Sequence, residues 1–263
     1  MKKFIIAVLI LYVVIIGLNT AAVYADKNEK VIVLLYHHLL QDSENKNKNN
    51  GAIVSVENFE KQMKYLHDNG YETISIKELN RYLKHKTSLP KKSVLITFDD
   101  GYESNYVYAY PILKAYNFKA SVFMITGLIP DQTEGFKPDK LSFMSKEEMA
   151  QSKDVFEFAC HTHNLHRFEE GGKSALVSKG EADIIKDLDM SKQLVDTKFF
   201  AYPYGQYNKE VEHILKKEGF ELAFTVKKGA VNRNCSRFEL NRVPIYYSTS
   251  MVDFIKILEE YEN

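Results

Sequence analysis

The chain has 263 residues, of which 45% are hydrophobic and 13% aromatic, which is enough apolar material for a sizeable core. Its 35 basic residues balance 35 acidic ones, so no basic field indicates a nucleic-acid partner and no acidic tail indicates a solvating segment. A chain of this length is compatible with one closed α/β barrel.

The first 25 residues have the pattern of a secretory signal. Two lysines precede an unbroken apolar run from Phe4 to Leu18, and a site suited to signal peptidase ends at Ala25. The alternative is an uncleaved membrane anchor, but the run is shorter than the roughly 20 residues that a spanning helix needs. We therefore expect a signal segment at residues 1–25 and a single domain at residues 26–263. The protein is then secreted or attached to the cell surface, and any membrane association comes through the N-terminal segment.

Short apolar runs alternate with amphipathic stretches along the rest of the chain. The predicted strands are Val31–Tyr36, Glu72–Ile76, Ser93–Phe98, Ala120–Ile125, Val155–Cys160, Phe199–Tyr202, Leu222–Val226 and Arg242–Tyr246. The predicted helices are Val56–Asp68, Ile76–Leu83, Ser104–Tyr116, Lys146–Gln151, Gly180–Leu194, Lys209–Glu218 and Met251–Glu260. Hydrophobic strands separated by helices indicate a parallel sheet covered on both faces. This number of units predicts a distorted (β/α) barrel of about seven parallel strands.

The chain contains two cysteines, Cys160 and Cys235. Export would permit a disulfide between them. However, Cys160 lies inside a predicted apolar strand, where free cysteine is often simply buried. We therefore favour two free thiols.

Polar clusters follow four of the predicted strands. They are Tyr36-His37-His38, Asp99-Asp100-Gly101, His161-Thr162-His163 and Pro203-Tyr204-Gly205. In a βα barrel the carboxyl ends of the strands share one face, and that face builds the active site. The clusters are therefore expected to form one site.

Two adjacent carboxylates, Asp99 and Asp100, end a buried strand, where mutual repulsion raises at least one pKa unless a cation is close. A divalent metal relieves this by taking one carboxylate as a ligand, which leaves the other free as a base. The alternative is an Asp-Gly turn in which one aspartate caps the next helix.

Three histidines fall within six residues, at His161, His163 and His166. Imidazole is a common ligand for zinc and similar ions. Positions 161 and 166 do not share a helix face, but a strand end followed by a loop can bring them together. Spacing alone leaves open which two of the three bind a metal.

The residues at these strand ends resemble a known family. Thr97-Phe98-Asp99-Asp100-Gly101, the block from His161 to His166, and Ala201-Tyr202-Pro203-Tyr204-Gly205 resemble three signatures of the NodB-type polysaccharide deacetylases, carbohydrate esterase family 4. The Tyr36-His37 pair on the first strand resembles the circularly permuted branch that deacetylates poly-β-1,6-N-acetylglucosamine. The resemblance spans roughly residues 31–254.

The resemblance implies a NodB-like barrel that removes N-acetyl groups from N-acetylglucosamine units of an extracellular polysaccharide, such as a biofilm adhesin. It assigns Asp99 as general base and His37 as general acid, and the backbone N–H of Tyr204 as an oxyanion donor. It assigns Asp100, His161 and His166 as ligands of one divalent ion. Zinc is the default, although cobalt, nickel or iron also suit two histidines and a carboxylate.

The sequence departs from the family in three respects, one of which is that the family's C-terminal Leu-x-His block is absent, as a permuted chain with His37 in that role would have it. The family carries an arginine just before the Pro-Tyr-Gly block that pairs with the base, whereas this chain reads Phe199-Phe200-Ala201-Tyr202 there. We suggest Arg242 as the substitute partner of Asp99. The chain also has no tryptophan, which leaves part of the acetyl-pocket wall unidentified.

Three alternatives remain. The first is the same chemistry on peptidoglycan or chitooligosaccharides, and the second is a non-catalytic barrel that binds glycan. The third is a metal-dependent phosphoesterase, which would need a second metal site and phosphate-cradling glycines that the sequence does not offer. We expect a monomer with a polysaccharide partner and no nucleic-acid partner.

Overall fold

The computed structural model of the protein describes residues 29–262, so the signal segment predicted at residues 1–25 lies outside the described part of the chain. The strands are β1 Ile32–Tyr36, β2 His38–Leu40, β3 Ile53–Ser55, β4 Glu72–Thr73, β5 Ser93–Phe98, β6 Ala120–Met124, β7 Phe156–Cys160, β8 Phe199–Ala201, β9 Leu222–Phe224 and β10 Val243–Pro244. The α-helices are α1 Val56–Asp68, α2 Ile76–His85, α3 Tyr110–Ala115, α4 Lys146–Gln151, α5 Ala175–Ser178, α6 Glu181–Leu194, α7 Lys209–Lys217 and α8 Met251–Glu262.

One curled parallel sheet organises the molecule. Its strands follow the order β10-β1-β5-β6-β7-β8-β9, and the short β4 pairs with the start of β5. A parallel bridge between Phe224 and Leu240 links β9 to the segment just before β10, and the Arg242 N–H donates to the Lys227 carbonyl at 3.0 Å. The predicted barrel of about seven parallel strands is confirmed. It is distorted because only a few hydrogen bonds join β9 to the segment before β10, and we call this region the seam.

Successive side chains of the central strands belong alternately to two apolar clusters, because neighbouring residues in a β-strand point to opposite faces of the sheet. Val33 and Leu95 belong to a cluster that draws residues from strands all round the sheet and fills its interior. Leu34 and Ile96, one position further along, belong to the cluster that helices α1 and α8 cover from outside. Because the strands are buried on both faces, most of their side chains are apolar, and the charged side chains of the candidate site come after the strands end.

The predicted boundaries differ from the structure where local capping or proline intervenes. The strand predicted over Glu72–Ile76 stops at Thr73 because Ser75 forms a capping box with Glu78 and begins α2. The helix predicted over Ser104–Tyr116 is a π-helical turn at Asn105–Ala109 followed by α3, since Pro111 cannot donate to the preceding turn.

Two short elements also differ from the prediction. The strand predicted over Arg242–Tyr246 pairs only at Val243–Pro244, and the parallel pair β2–β3 was not predicted.

Both cysteines are free, and the Sγ of buried Cys160 lies 2.9 Å from the Ser191 hydroxyl. Among residues 29–262, no helix has the length and apolar character of a membrane span.

Candidate active site

The two adjacent aspartates converge because the chain turns sharply after β5. Asp100 and Gly101 both adopt left-handed conformations, with φ of 74° and 80°. Glycine adopts this conformation without strain, and a Cβ at Gly101 would also lie 2.6 Å from the Met124 Cε, so the end of that side chain would have to move. The turn directs both carboxylates to the same side, where Asp99 Oδ2 and Asp100 Oδ1 lie 3.9 Å and 3.6 Å from the Nε2 of His161.

Asp99 is held in a buried, two-point ion pair with Arg242. The Nη1 and Nη2 atoms of Arg242 each donate to one Asp99 oxygen at 2.7 Å, and Nε donates to the Thr225 carbonyl at 2.9 Å. Both side chains are buried, and Arg242 is 0% exposed. Burial alone would raise the pKa of Asp99, but the charge and hydrogen bonds of Arg242 hold that pKa well below its ordinary value. Asp99 is therefore ionised at neutral pH and is not a helix cap.

Three side chains present ligand atoms to a common point. Donor atoms of Asp100, His161 and His166 all lie within 4.8 Å of one another, and His166 Nε2 is 3.3 Å from Asp100 Oδ1. Asp100 Oδ1 is buried and lacks a hydrogen-bond partner among the described residues. A buried carboxylate oxygen without a partner is costly, and a divalent cation would satisfy it. Two imidazoles and one carboxylate are a donor set suited to zinc and neighbouring transition metals.

The protonation of the histidines also fits a metal. His161 Nδ1 lies 2.8 Å from the Ala201 carbonyl, which can only accept, so Nδ1 is the donor and Nε2 is the ring nitrogen that faces the site. Burial, and then the neighbouring His161, lowers the pKa of His166 to about 4. His166 is therefore neutral at physiological pH, as a metal ligand must be.

Tyr204 and His37 lie at two other strand ends on this face. Tyr204 has φ of 57° in the turn after β8, and its ring centroid lies 4.5 Å from that of His166. His37 is half-buried after β1, and its charge acts to lower the pKa of Asp99. The backbone joins the ends of β1 and β5, since the Asp99 N–H donates to the Tyr36 carbonyl at 3.0 Å.

The neighbouring histidines His38 and His163 have other partners. His38 Nδ1 lies 2.7 Å from the Ser104 hydroxyl, and burial lowers the pKa of His38 to about 4. His163 Nδ1 lies 3.0 Å from the Thr126 hydroxyl. Of the three histidines that spacing left open, the structure brings His161 and His166 to Asp100.

A buried carboxylate on α6 holds the histidine loop in place. Asp187 accepts the backbone N–H groups of His163 and Asn164 at 2.8 Å and 2.6 Å. On its other side the loop meets the turn after β6, where a Cβ on Gly127 would lie 2.5 Å from the His163 carbonyl. Thr162, between these contacts, has φ of 71°. We call the contacts of Asp187 and Gly127 with the loop the clamp. They maintain the bend that lets His161 and His166 face one point.

Sequence reasoning overlooked Asp187 although a signal was present. Ile184, Leu188 and Ser191 are buried on the same face of α6 as Asp187. A carboxylate inside such a stripe needs a buried partner, and here the partners are backbone N–H groups of the histidine loop.

Replacing Asp187 with asparagine is expected to weaken divalent-metal binding by about 10–100-fold. The amide can accept with its oxygen only, so one loop N–H would face the NH₂ group and the histidine loop would move. Titration of metal-free protein with Co²⁺ or Zn²⁺ in a calorimeter measures the affinity. The matched control is Asp189→Asn, which alters an exposed aspartate on the same helix. Wild-type affinity in Asp187→Asn would show that the clamp does not position the ligands.

Comparison with known proteins agrees with this site. Residues 86–223 match the family model described as polysaccharide deacetylase. The chain is 37% identical over 200 residues to a poly-beta-1,6-N-acetyl-D-glucosamine N-deacetylase of Staphylococcus aureus, covering 73% of this chain and 67% of that protein.

Two solved structures share the fold over almost their whole length. IcaB from Ammonifex degensii superposes with a TM-score of 0.74 at 28% identity, covering 90% of this chain and 98% of that one. The Streptococcus pyogenes deacetylase PplD in complex with acetate gives a TM-score of 0.74 at 27% identity, covering 87% and 98%. The parallel barrel, the strand-end site and these similarities lead to one conclusion: the chain belongs to the polysaccharide deacetylase family and is an enzyme that acts on N-acetyl amide bonds.

Proposed function

We propose that this chain is a metal-dependent N-deacetylase of poly-β-1,6-N-acetylglucosamine that acts outside the cytoplasm. The observation that carries the proposal is the convergence of Asp100, His161 and His166 beside the Asp99–Arg242 pair. The polymer is proposed from the similarity to the staphylococcal enzyme of that name. Export is proposed from the signal pattern at residues 1–25.

Asp100, His161 and His166 would hold one divalent ion, with zinc as the default and cobalt, nickel or iron as alternatives. Such an ion supplies Lewis acidity, which acidifies water and polarises the acetyl carbonyl. The remaining steps belong to the chain's own side chains and backbone.

Asp99 is proposed as the general base. Arg242 keeps its carboxylate ionised, and each oxygen retains a lone pair beside the one that accepts from the guanidinium. A lowered pKa makes Asp99 a weak base, so the attacking water must itself be acidified. This requirement links the base to a metal in the adjacent ligand set.

His37 and Tyr204 are proposed to act on the two substrate atoms that gain negative charge during amide hydrolysis, the departing nitrogen and the carbonyl oxygen. The imidazole of His37, protonated, delivers a proton to the departing sugar nitrogen. The left-handed turn at Tyr204 turns its backbone N–H away from the helical pattern, and that N–H is the proposed donor to the oxyanion. A well-placed donor of this kind contributes roughly 3–4 kcal/mol to the transition state.

Acetate release from a panel of glycans tests both the reaction and the polymer. We expect release from β-1,6-linked N-acetylglucosamine oligomers to exceed release from peptidoglycan and chitooligosaccharides. Preference for peptidoglycan or chitooligosaccharides would retain the chemistry and overturn the polymer. Binding to glycan without acetate release under any metal would favour the non-catalytic barrel.

Metal removal is expected to abolish acetate release, because Asp99 is too weak a base to act on ordinary water. Dialysis against a chelator should reduce the rate to background, and addition of Zn²⁺, Co²⁺ or Ni²⁺ should restore it. Circular dichroism of the metal-free protein serves as the control for folding. Full activity of protein shown by elemental analysis to hold no metal would contradict the proposal.

A further inference from the structure

Two aromatic side chains beside the site stack on each other and remain open to solvent. The ring centroids of Phe168 and Tyr204 are 3.9 Å apart, with an interplanar angle of 20°. Phe168 is 54% exposed and Tyr204 is 37% exposed. Scattered exposed apolar residues are normal, but contiguous apolar surface at the rim of a site is typical of a binding surface. None of the roles proposed above uses the ring of Phe168.

The stacked pair is continuous with the proposed metal centre. The Tyr204 ring also contacts His166, with centroids 4.5 Å apart and an interplanar angle of 40°. The aromatic surface therefore begins at a proposed metal ligand and extends outward through Tyr204 to Phe168. A polymer that places one sugar unit at Asp100 and His166 has its next unit directly beyond the site, and the pair offers a surface next to that position.

Hydrogen bonds tie the two aromatic segments together. Phe168 forms an antiparallel bridge with Ser174, which makes the segment between them a hairpin. Gln206, two residues after Tyr204, accepts from the Ser174 N–H at 2.7 Å and donates from Nε2 to the Gly172 carbonyl at 3.2 Å. The hairpin and the Tyr204 turn are thus held in one arrangement before any ligand binds, which reduces the entropic cost of binding.

We propose that Phe168 and Tyr204 form a stacking platform for a sugar unit next to the one that is deacetylated. The inference rests on the proposed function. In a β-linked N-acetylglucosamine unit the substituents are equatorial, so the ring faces expose C–H bonds that suit a flat aromatic surface. Phe168 supplies an apolar face, and Tyr204 adds a polar hydroxyl at its edge. Phe168 is then a residue that determines preference for polymer over single sugars.

The test compares Phe168→Ala with Phe168→Tyr on N-acetylglucosamine and on β-1,6-linked oligomers of increasing length. We expect Phe168→Ala to raise KM for oligomers by about tenfold, with a smaller change for the single sugar and little change in kcat. Phe168→Tyr keeps the aromatic face and should restore the oligomer KM. The control is Leu194→Ala, since Leu194 is 38% exposed and lies just before the start of β8, at the opposite end of that strand from Tyr204.

The outcomes separate the platform from the reaction. An active enzyme whose Phe168→Ala variant keeps the wild-type KM for every chain length overturns the platform alone. An equal rise in KM for single sugar and oligomer, or a fall in kcat on both, also overturns it, because the substitution would then act by displacing Tyr204. Absence of acetate release by the wild-type, metal-loaded enzyme from every glycan overturns the proposed function and the platform together.

Discussion

Replacement of Asp99 with asparagine is expected to lower kcat for acetate release by about 10²–10⁴-fold, the range for loss of a general acid or base. Asparagine preserves the shape of the side chain but cannot accept a proton. Donor atoms of Asp100, His161 and His166 remain in place, so the variant should still bind one divalent ion. Steady-state kinetics on β-1,6-linked oligomers and elemental analysis of the same preparation provide the two measurements.

The neighbouring aspartate supplies the contrast. Asp100→Asn should lose metal affinity first, since Asp100 contributes one of the three converging ligand atoms. Excess metal should therefore recover part of the activity of Asp100→Asn and none of that of Asp99→Asn. If Asp99→Asn retained kcat within about tenfold of wild type, or if excess metal rescued it, Asp99 would not be the base.

The strand-end clusters were predictable because each follows a nearly continuous apolar run. Such runs identify β1, β5, β7 and β8 without reference to tertiary structure, and parallel strands place their carboxyl ends on one face. The convergence of residues after these strands therefore follows from pattern alone. The three-residue strands β2 and β3 were missed because they are too short for any period to be visible.

The ligand arrangement was less predictable because it depends on backbone conformation. The spacing of the three histidines did not show which two of them converge on Asp100, and it is the loop conformation that brings His161 and His166 there. That conformation requires a positive φ at Thr162 and the backbone contacts of Asp187 from a different element. Neither is encoded in the spacing of the histidines themselves.

The Asp99–Arg242 contact could be predicted from the sequence only in part. The missing family arginine made a substitute necessary, and Arg242 was a candidate by its position near the last strand. Its geometry, however, depends on the seam where Leu240 bridges Phe224 and brings the segment before β10 back to β9. A contact across 143 positions of the chain depends on barrel closure, which local sequence pattern does not describe.

Replacement of Arg242 with methionine is expected to lower the free energy of unfolding by about 3–5 kcal/mol, because it leaves the buried Asp99 carboxylate without its partner. Methionine fills much of the arginine volume, so the cost comes mainly from the uncompensated charge. Without the guanidinium, burial should raise the pKa of Asp99 instead of leaving it lowered. Urea denaturation of the metal-free wild type and variant between pH 4 and 8 measures the difference.

The pH dependence of the unfolding free energy distinguishes the loss of the charged partner of Asp99 from a mere loss of packing. In the wild type the folded pKa of Asp99 lies below the unfolded value, so the stability it contributes is present above about pH 4. That contribution is lost as the pH falls through the folded pKa. In Arg242→Met the folded pKa lies above the unfolded value, so the variant becomes less stable as the pH rises. The difference in unfolding free energy between wild type and Arg242→Met should therefore increase with pH and then reach a plateau.

The pH dependence of activity should shift in the same direction as the pKa of Asp99, because Asp99, the proposed general base, must be ionised to act. The acidic limb of the pH–rate profile is expected to move to higher pH in Arg242→Met. Arg242→Lys keeps a charge but cannot donate to both Asp99 oxygens, so its profile and stability should fall between the other two. The double variant Asp99→Asn/Arg242→Met removes both charges and should regain stability relative to Arg242→Met. A gap in unfolding free energy that stays constant with pH, together with an unshifted profile, would mean that Arg242 fills space without setting the ionisation of Asp99.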